Sequence, residues 1–168
     1  LFDRKGRVAK HVGSDERAAG AAAAELLGKL IRQDRGTIAF ISCGTYQAAR
    51  DREDGFRSQL HPNLMIAHRI DVRNDPEVAY AEVKALIERF GKPDGIYSVA
   101  GGNSGVGRAL QELGLARDVV FIGHELNANS RALLRSGTMD YLIGRDQERE
   151  VMLSLAMVEA IIDGRPHH

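Results

Sequence analysis

Cysteine occurs once in this 168-residue chain, at Cys43, so no internal disulfide can form. That scarcity fits a reducing compartment such as the cytoplasm. Net charge is missing as well, since 23 basic residues balance 23 acidic ones. A neutral domain lacks the clustered Lys and Arg that phosphate contacts require, which argues against nucleic-acid binding by this chain alone. No apolar run approaches the roughly 18 residues that suggest a membrane span. The start carries no secretory leader pattern. It is Leu1 rather than Met, so the chain is expected to be a fragment of a longer protein. No repeat, low-complexity tract or Pro/Gly/Ser-rich linker divides the sequence. The six histidines lack metal-ligand spacing such as H-x-x-x-H. No acid/base or nucleophile constellation is found, so no catalytic residue, metal ligand or cofactor is assigned.

What is present has the length of one domain, with 43% hydrophobic and 27% charged residues, ordinary for a globular protein. The most informative stretch is GTIAFISCGTYQAARDREDGF, residues 36–56. Residues 37–42 are apolar, β-branched and aromatic, as a buried strand requires. A Gly44-Thr45 turn follows, then a helical segment over 47–60. Arg50 and Arg52 within it cannot share a helix face, because neighbours on a helix lie three or four apart. One of them can face solvent while the other is aimed at something specific. An arginine there sits near the carboxyl edge of the sheet, where open α/β sheets bind ligands.

The other segments alternate in the same way. A short strand is expected at 8–12, and Ser14 or Asp15 can cap a helix over 17–30 whose alanine run favours helix. A second strand spans 64–70. Asp75-Pro76 reads as N-cap and first turn of a helix ending at Phe90. A third strand spans 95–100, and a glycine-rich turn, Gly101-Gly102-Asn103-Ser104-Gly105, opens a helix to about Leu113. Strands at 119–123 and 139–144 flank a short helix over 129–135 ended by Gly137. The last helix, 147–162, sets Val151, Leu155, Val158 and Ile162 at helical spacing, an apolar face for core or dimer contact. Strand–helix alternation of this kind predicts a mostly parallel α/β sheet in three αβα layers. The Gly101 turn lacks the G-x-G-x-x-G register of a dinucleotide site.

Several segments in this order carry a resemblance. Ser14-Asp15-Glu16-Arg17-Ala18-Ala19-Gly20 resembles a D-N-x-x-A-G helix opening; Arg52-Glu53-Asp54-Gly55-Phe56 resembles R-x-x-G-F; residues 93–97 look like a P-D-A-I-F strand; residues 120–125 resemble V-x-V-V-G-F-D. Together they resemble the effector-binding domain of LacI-family regulators, and the periplasmic ribose-binding proteins that share its fold. The resemblance implies a periplasmic-binding-protein-like fold, mainly its second lobe. It divides the chain into a first-lobe strand and helix at 1–35, a ligand-binding lobe at 36–138, and a crossing strand and helix at 139–168. It also implies that the headpiece and the start of the first lobe lie outside this chain.

The implied ligand residues are Arg52 on sugar hydroxyls, Asn103 as the carboxamide, Glu125 in the place of a ligand-binding Asp, and His124 in the place of an aromatic. Arg145-Asp146 stands where many members carry Gln, an added cation that suits a sugar acid or phosphate. Arg73, after the second strand, is a further candidate. From the residues alone, Arg52 could equally be a surface arginine paired with Glu53 or Asp54, and Asn103 a helix N-cap. Cys43 reads as a buried structural thiol. The implied function is sensing of a sugar, sugar acid or sugar phosphate by a cytoplasmic homodimer, reaching operator DNA only through the missing headpiece. The competing expectation is a periplasmic solute-binding protein of a sugar transporter.

Overall fold

A computed structural model of the chain describes residues 13–44, 46–99 and 101–163; the strand expected at 8–12 lies outside them. The elements run α1 (Glu16–Leu30), β1 (Gly36–Ser42), α2 (Gln47–Gln59), β2 (Leu64–Asp71), α3 (Pro76–Phe90), β3 (Gly95–Ser98), α4 (Asn103–Glu112), β4 (Val120–His124), α5 (Ala128–Ser136), β5 (Tyr141–Ile143) and α6 (Gln147–Ile162). The chain divides into two units. Residues 16–144 form the larger, and 1–15 with 145–168 form the smaller. Helix α1 and strand β5 therefore lie in the same unit as the other four strands.

The larger unit is the predicted α/β sandwich. Its five strands are all parallel, in the order β2-β1-β3-β4-β5. The strands show why they are buried on both faces. Ile38 and Phe40 of β1, Tyr97 of β3 and Ile122 of β4 join Ala23, Leu27, Ala49 and Phe56 from α1 and α2. Their neighbours Ala39, Ile41, Ile96 and Phe121 point the other way, onto Ala79, Val83, Val106, Leu110 and Leu133 from α3, α4 and α5. Successive strand residues alternate between faces, so a continuous apolar run fills both layers.

Local chemistry sets the boundaries. Asp75 caps α3, its side chain accepting from the Glu77 and Val78 amides, with Pro76 in the first turn. Gly137 ends α5 in the left-handed conformation at φ 70°. β3 stops at Ser98, two residues before the expected end. The Val99 amide still donates to Ile41, but the Val99 carbonyl turns out of the ladder to accept from Arg52. β5 is likewise shorter than expected. Met139 is drawn into the core, and Asp140 meets β4 with backbone and carboxylate together, at Phe121.

In the smaller unit, Asp146 caps α6 by accepting from the Arg149 amide at 3.0 Å. Val151, Met152, Leu153, Leu155, Val158 and Ile162 are all exposed, so the helix is apolar on more than the single expected face.

Candidate functional site

The strand order places a topological switch point between β1 and β3, where the connections leave to opposite sides. The carboxyl ends of β1, β3 and β4 are adjacent there, carrying Cys43, Val99 and His124-Glu125.

Arg52 reaches this edge because α1 and α2 cross with almost no space between them. A Cβ on Gly20 would sit 1.9 Å from the Arg52 carbonyl oxygen, and one on Gly55 would sit 1.9 Å from that of Arg17. Two glycines on opposite helices thus bring the backbones into contact. The crossing lays Glu16 against Arg52, which is only 5% exposed. Arg52 Nε donates to Glu16 Oε2 at 2.6 Å, and Nη1 donates to the Val99 carbonyl at 2.5 Å. The surface pairing open to Arg52 in the sequence does not form. Glu53 instead accepts from Arg57 and Arg69, and Asp54 lies 3.8 Å from Arg17.

Asn103 follows four residues after Val99. It is the first residue of α4, and its side chain does not cap the helix. Gly102 occupies that position at φ 96°, a left-handed value that suits glycine. The Asn103 carboxamide is buried and turns toward β4, Nδ2 donating to the His124 carbonyl at 2.8 Å. Gly123 makes the space, since a Cβ there would lie 3.0 Å from Oδ1 and 3.1 Å from Nδ2 of Asn103. Oδ1 is buried with no hydrogen-bond partner among the described residues.

His124 is placed differently from a cleft residue. It is 1% exposed, and its Nε2 shares a 2.8 Å hydrogen bond with the Tyr97 hydroxyl. Tyr97 in turn stacks on Phe56 at 4.6 Å and meets Phe40 edge-on at 5.5 Å. Burial, then the Arg52 charge, push the imidazole pKa down to about 3, so the ring is neutral at physiological pH. Burial also raises the Tyr97 hydroxyl, with Arg52 opposing and Glu16 adding. The backbone carbonyl of His124 accepts from another candidate residue, Asn103. The side chain expected at the ligand is a core residue because β4 points it at the Phe40–Phe56–Tyr97 cluster.

Glu125 follows at φ 71° and is exposed. Its carbonyl accepts from Ser130, whose side chain also completes a capping box with Asn127. Cys43 is buried, as expected of a structural thiol. Burial raises its pKa; Asp71 adds to the rise, Arg52 counters it and Glu125 adds again. Arg52 and Glu125 are thus both within electrostatic reach of one thiol at the sheet edge.

Arg73 lies on the β2–α3 loop, exposed, at φ 51°, with Asn74 at φ 61°. Asp71 accepts from the Arg73 amide, and Asn74 Oδ1 accepts from Gly101 at 2.9 Å, which ties this loop to the glycine turn. Among the described residues, the three non-glycine residues with positive φ lie in loops leaving the carboxyl ends of strands, where sustained strain accompanies ligand sites. Arg145 belongs to the smaller unit, where it pairs with Glu150 at 2.9 Å and donates to Ser14.

Sequence reasoning missed Glu16, Gly123, Asn74 and the Val99 carbonyl. Glu16 stood inside the helix-opening motif, yet its partner lies 36 residues away. The loop role of Asn74 left no local signal. Among the described residues no group of three His, Cys, Asp or Glu could hold a metal ion, and no helix is long and apolar enough to cross a membrane.

A doubly wound domain with buried polar side chains converging on its carboxyl edge defines a small-molecule-binding class of protein. The family model for the periplasmic binding protein domain matches residues 1–166, and the chain belongs to that family. No curated protein matches the sequence. Among solved structures, a glucose-galactose binding protein, GanP, from Geobacillus stearothermophilus superposes with TM-score 0.87 at 17% identity, over 96% of this chain and 59% of its own. A sugar ABC transporter sugar-binding protein from Bacillus halodurans gives 0.85 at 20%, over 90% and 53%. A periplasmic solute binding protein of an ABC transporter from Actinobacillus succinogenes 130z, with bound D-allose, gives 0.87 at 18%, over 99% and 62%. The chain therefore spans between 53% and 62% of the length of these structures.

Proposed function

We propose that this chain recognises a sugar or sugar derivative at the carboxyl edge of its sheet, and binds it without transforming it. Arg52 would supply donors, Glu125 acceptors, and Asn103 an acceptor held at fixed orientation. Arg73 is a further contact in this reading, and His124 contributes through its carbonyl. The observation that carries it is Asn103 Oδ1, a buried acceptor with no donor among the described residues, a condition that costs about 1–3 kcal/mol unless something else supplies one. The sugars named for the similar structures support the ligand class.

Two settings fit such a domain. The motif order resembles LacI-type regulators, in which ligand closure across a homodimer would shift the population of DNA-binding states by the ligand's differential affinity. The names of the similar structures instead support a solute-binding protein serving a sugar transporter, and we favour that setting. Its location would then be extracytoplasmic rather than cytoplasmic. In either setting the larger unit is one lobe, and the exposed apolar side chains of α6 are covered by the remainder of the other.

A calorimetric screen of the full-length protein against neutral sugars, sugar acids and sugar phosphates tests the binding reading. At least one monosaccharide should bind, and Arg52→Ala should weaken it tenfold or more. Failure of every class to bind, or an unaltered affinity in the variant, rejects the site. The setting is decided by the upstream sequence, where a helix-turn-helix marks the regulator and an apolar leader with a cleavage site marks the transporter component.

A further inference from the structure

We infer that Glu16 is a built-in counter-charge for Arg52, so that this clamp offers N–H donors with much of its positive charge offset and selects an uncharged hydroxyl-bearing ligand over its carboxylate counterpart. This rests on the reading that Arg52 meets the ligand.

Three observations carry it. First, the pair is enclosed: the side chains of Arg52 and Glu16 are only 6% and 12% exposed, so solvent does little to screen one charge from the other. Second, Glu16 takes Nε, the inner nitrogen, at 2.6 Å, and Val99 takes Nη1. Nη2 has no hydrogen-bond partner among the described residues, which leaves N–H donors of the fork for a ligand. A guanidinium neutralised from behind still donates to a hydroxyl oxygen, but it no longer gives a carboxylate the advantage of an unopposed ion pair. Third, two carboxylates stand at the same edge, one of them, Asp71, beside the exposed Arg73. Asp71 and Glu125 both act on Cys43 at the same edge, and both are exposed. An arriving carboxylate would meet them as like charges, a repulsion that builds selectivity by disfavouring the wrong ligand.

The same logic weakens the expectation of an anionic ligand drawn from Arg145. That arginine brings its own carboxylate, with Glu150 Oε2 at 2.9 Å.

Glu16 is thus a positioning and charge-setting residue rather than a ligand contact, and its signature is a change in ligand preference. The test is calorimetry on the full-length protein with matched neutral and acidic probes, D-galactose with D-galacturonate and D-glucose with D-glucuronate. Wild type, Glu16→Gln, Glu16→Asp and Arg52→Ala are compared. The wild type should prefer the neutral partner of a pair at least tenfold. Glu16→Gln keeps the shape and removes the charge, so it should shrink that preference tenfold or reverse it, and Glu16→Asp should retain it. A wild type that prefers the acid overturns the inference without needing any variant to fold. So does a Glu16→Gln protein that loses both probes equally, with the ratio unchanged, because that is the behaviour of a merely structural residue. Should neither pair bind, or should Arg52→Ala bind as wild type does, the ligand site itself is misplaced and the inference falls with it. That outcome differs from the two before it, in which Arg52 matters and Glu16 does not set the preference.

Discussion

Asn103 Nδ2 donates to the His124 carbonyl at 2.8 Å, and this bond decides which way the carboxamide faces. Reversing the amide would set oxygen against oxygen, so Oδ1 is the atom left over, buried and without a donor among the described residues. The bond also joins the start of α4 to the end of β4, two of the three strand ends that meet at the switch point.

Asn103 can be tested for binding and folding separately. Asn103→Ala removes a hydrogen bond and an unsatisfied acceptor together, so stability by urea denaturation should change by no more than about 1 kcal/mol. Affinity for the best sugar of the screen should fall tenfold or more. Asn103→Asp puts a carboxylate against the His124 carbonyl and should destabilise by about 2 kcal/mol. A variant in which stability collapses and affinity survives would make Asn103 a fold residue only.

Arg52 and Glu16 should be strongly coupled. Removing one partner of a buried pair strands the other, at a cost of about 3–5 kcal/mol. Arg52→Ala and Glu16→Ala should each show losses of that order by chemical denaturation, and the double variant should cost clearly less than their sum. Additive losses would mean the two side chains do not sense each other in solution.

Close crossing of α1 and α2 is the geometric cause of that pair. Gly55→Ala would put a Cβ 1.9 Å from the Arg17 carbonyl, so the helices must separate. The expected loss is about 2–3 kcal/mol, with ligand affinity reduced in parallel. Gly91→Ala is a useful contrast. Its Cβ meets nothing within 4 Å, and its penalty comes only from the positive φ of 86°. Ligand affinity should not change there.

The architecture was legible because it rests on short-range signals. The apolar run of β1 and the Asp75-Pro76 cap of α3 each announce themselves within a few residues. Arg52 stood out because it broke the helical spacing with Arg50, and burial of its side chain matches that singling out. The partners were not legible. Nothing near Glu16 indicates that a pair of glycines will press it against α2. Likewise the turn at 101–105 fits a capping asparagine equally well until Gly102 is found in the capping position. The direction of the His124 side chain was not legible for a related reason: a residue at the end of a strand points to one face or the other, and the local sequence does not reveal which face holds the aromatic cluster.

His124 finally makes the fold's stability depend on acidity in a defined window. Its folded pKa of about 3 lies below the ordinary value of 6.5, lowered by burial first and by Arg52 second. The unfolded chain therefore takes up a proton that the folded chain refuses. The resulting contribution is fully present above about pH 6.5 and is lost as pH falls toward 3, at up to about 1.4 kcal/mol per pH unit. At Glu53, burial raises the pKa, but hydrogen bonds from Arg69 and Arg57 outweigh it and hold the carboxylate below its ordinary 4.5, so its own loss enters only at lower pH. Urea denaturation at pH 7, 6 and 5 isolates the histidine. The wild type should lose about 1–2 kcal/mol across that range, and His124→Gln, which keeps a polar partner for Tyr97 without a titrating ring, should lose distinctly less. Equal slopes in the two proteins would mean that the buried imidazole is not the group being protonated.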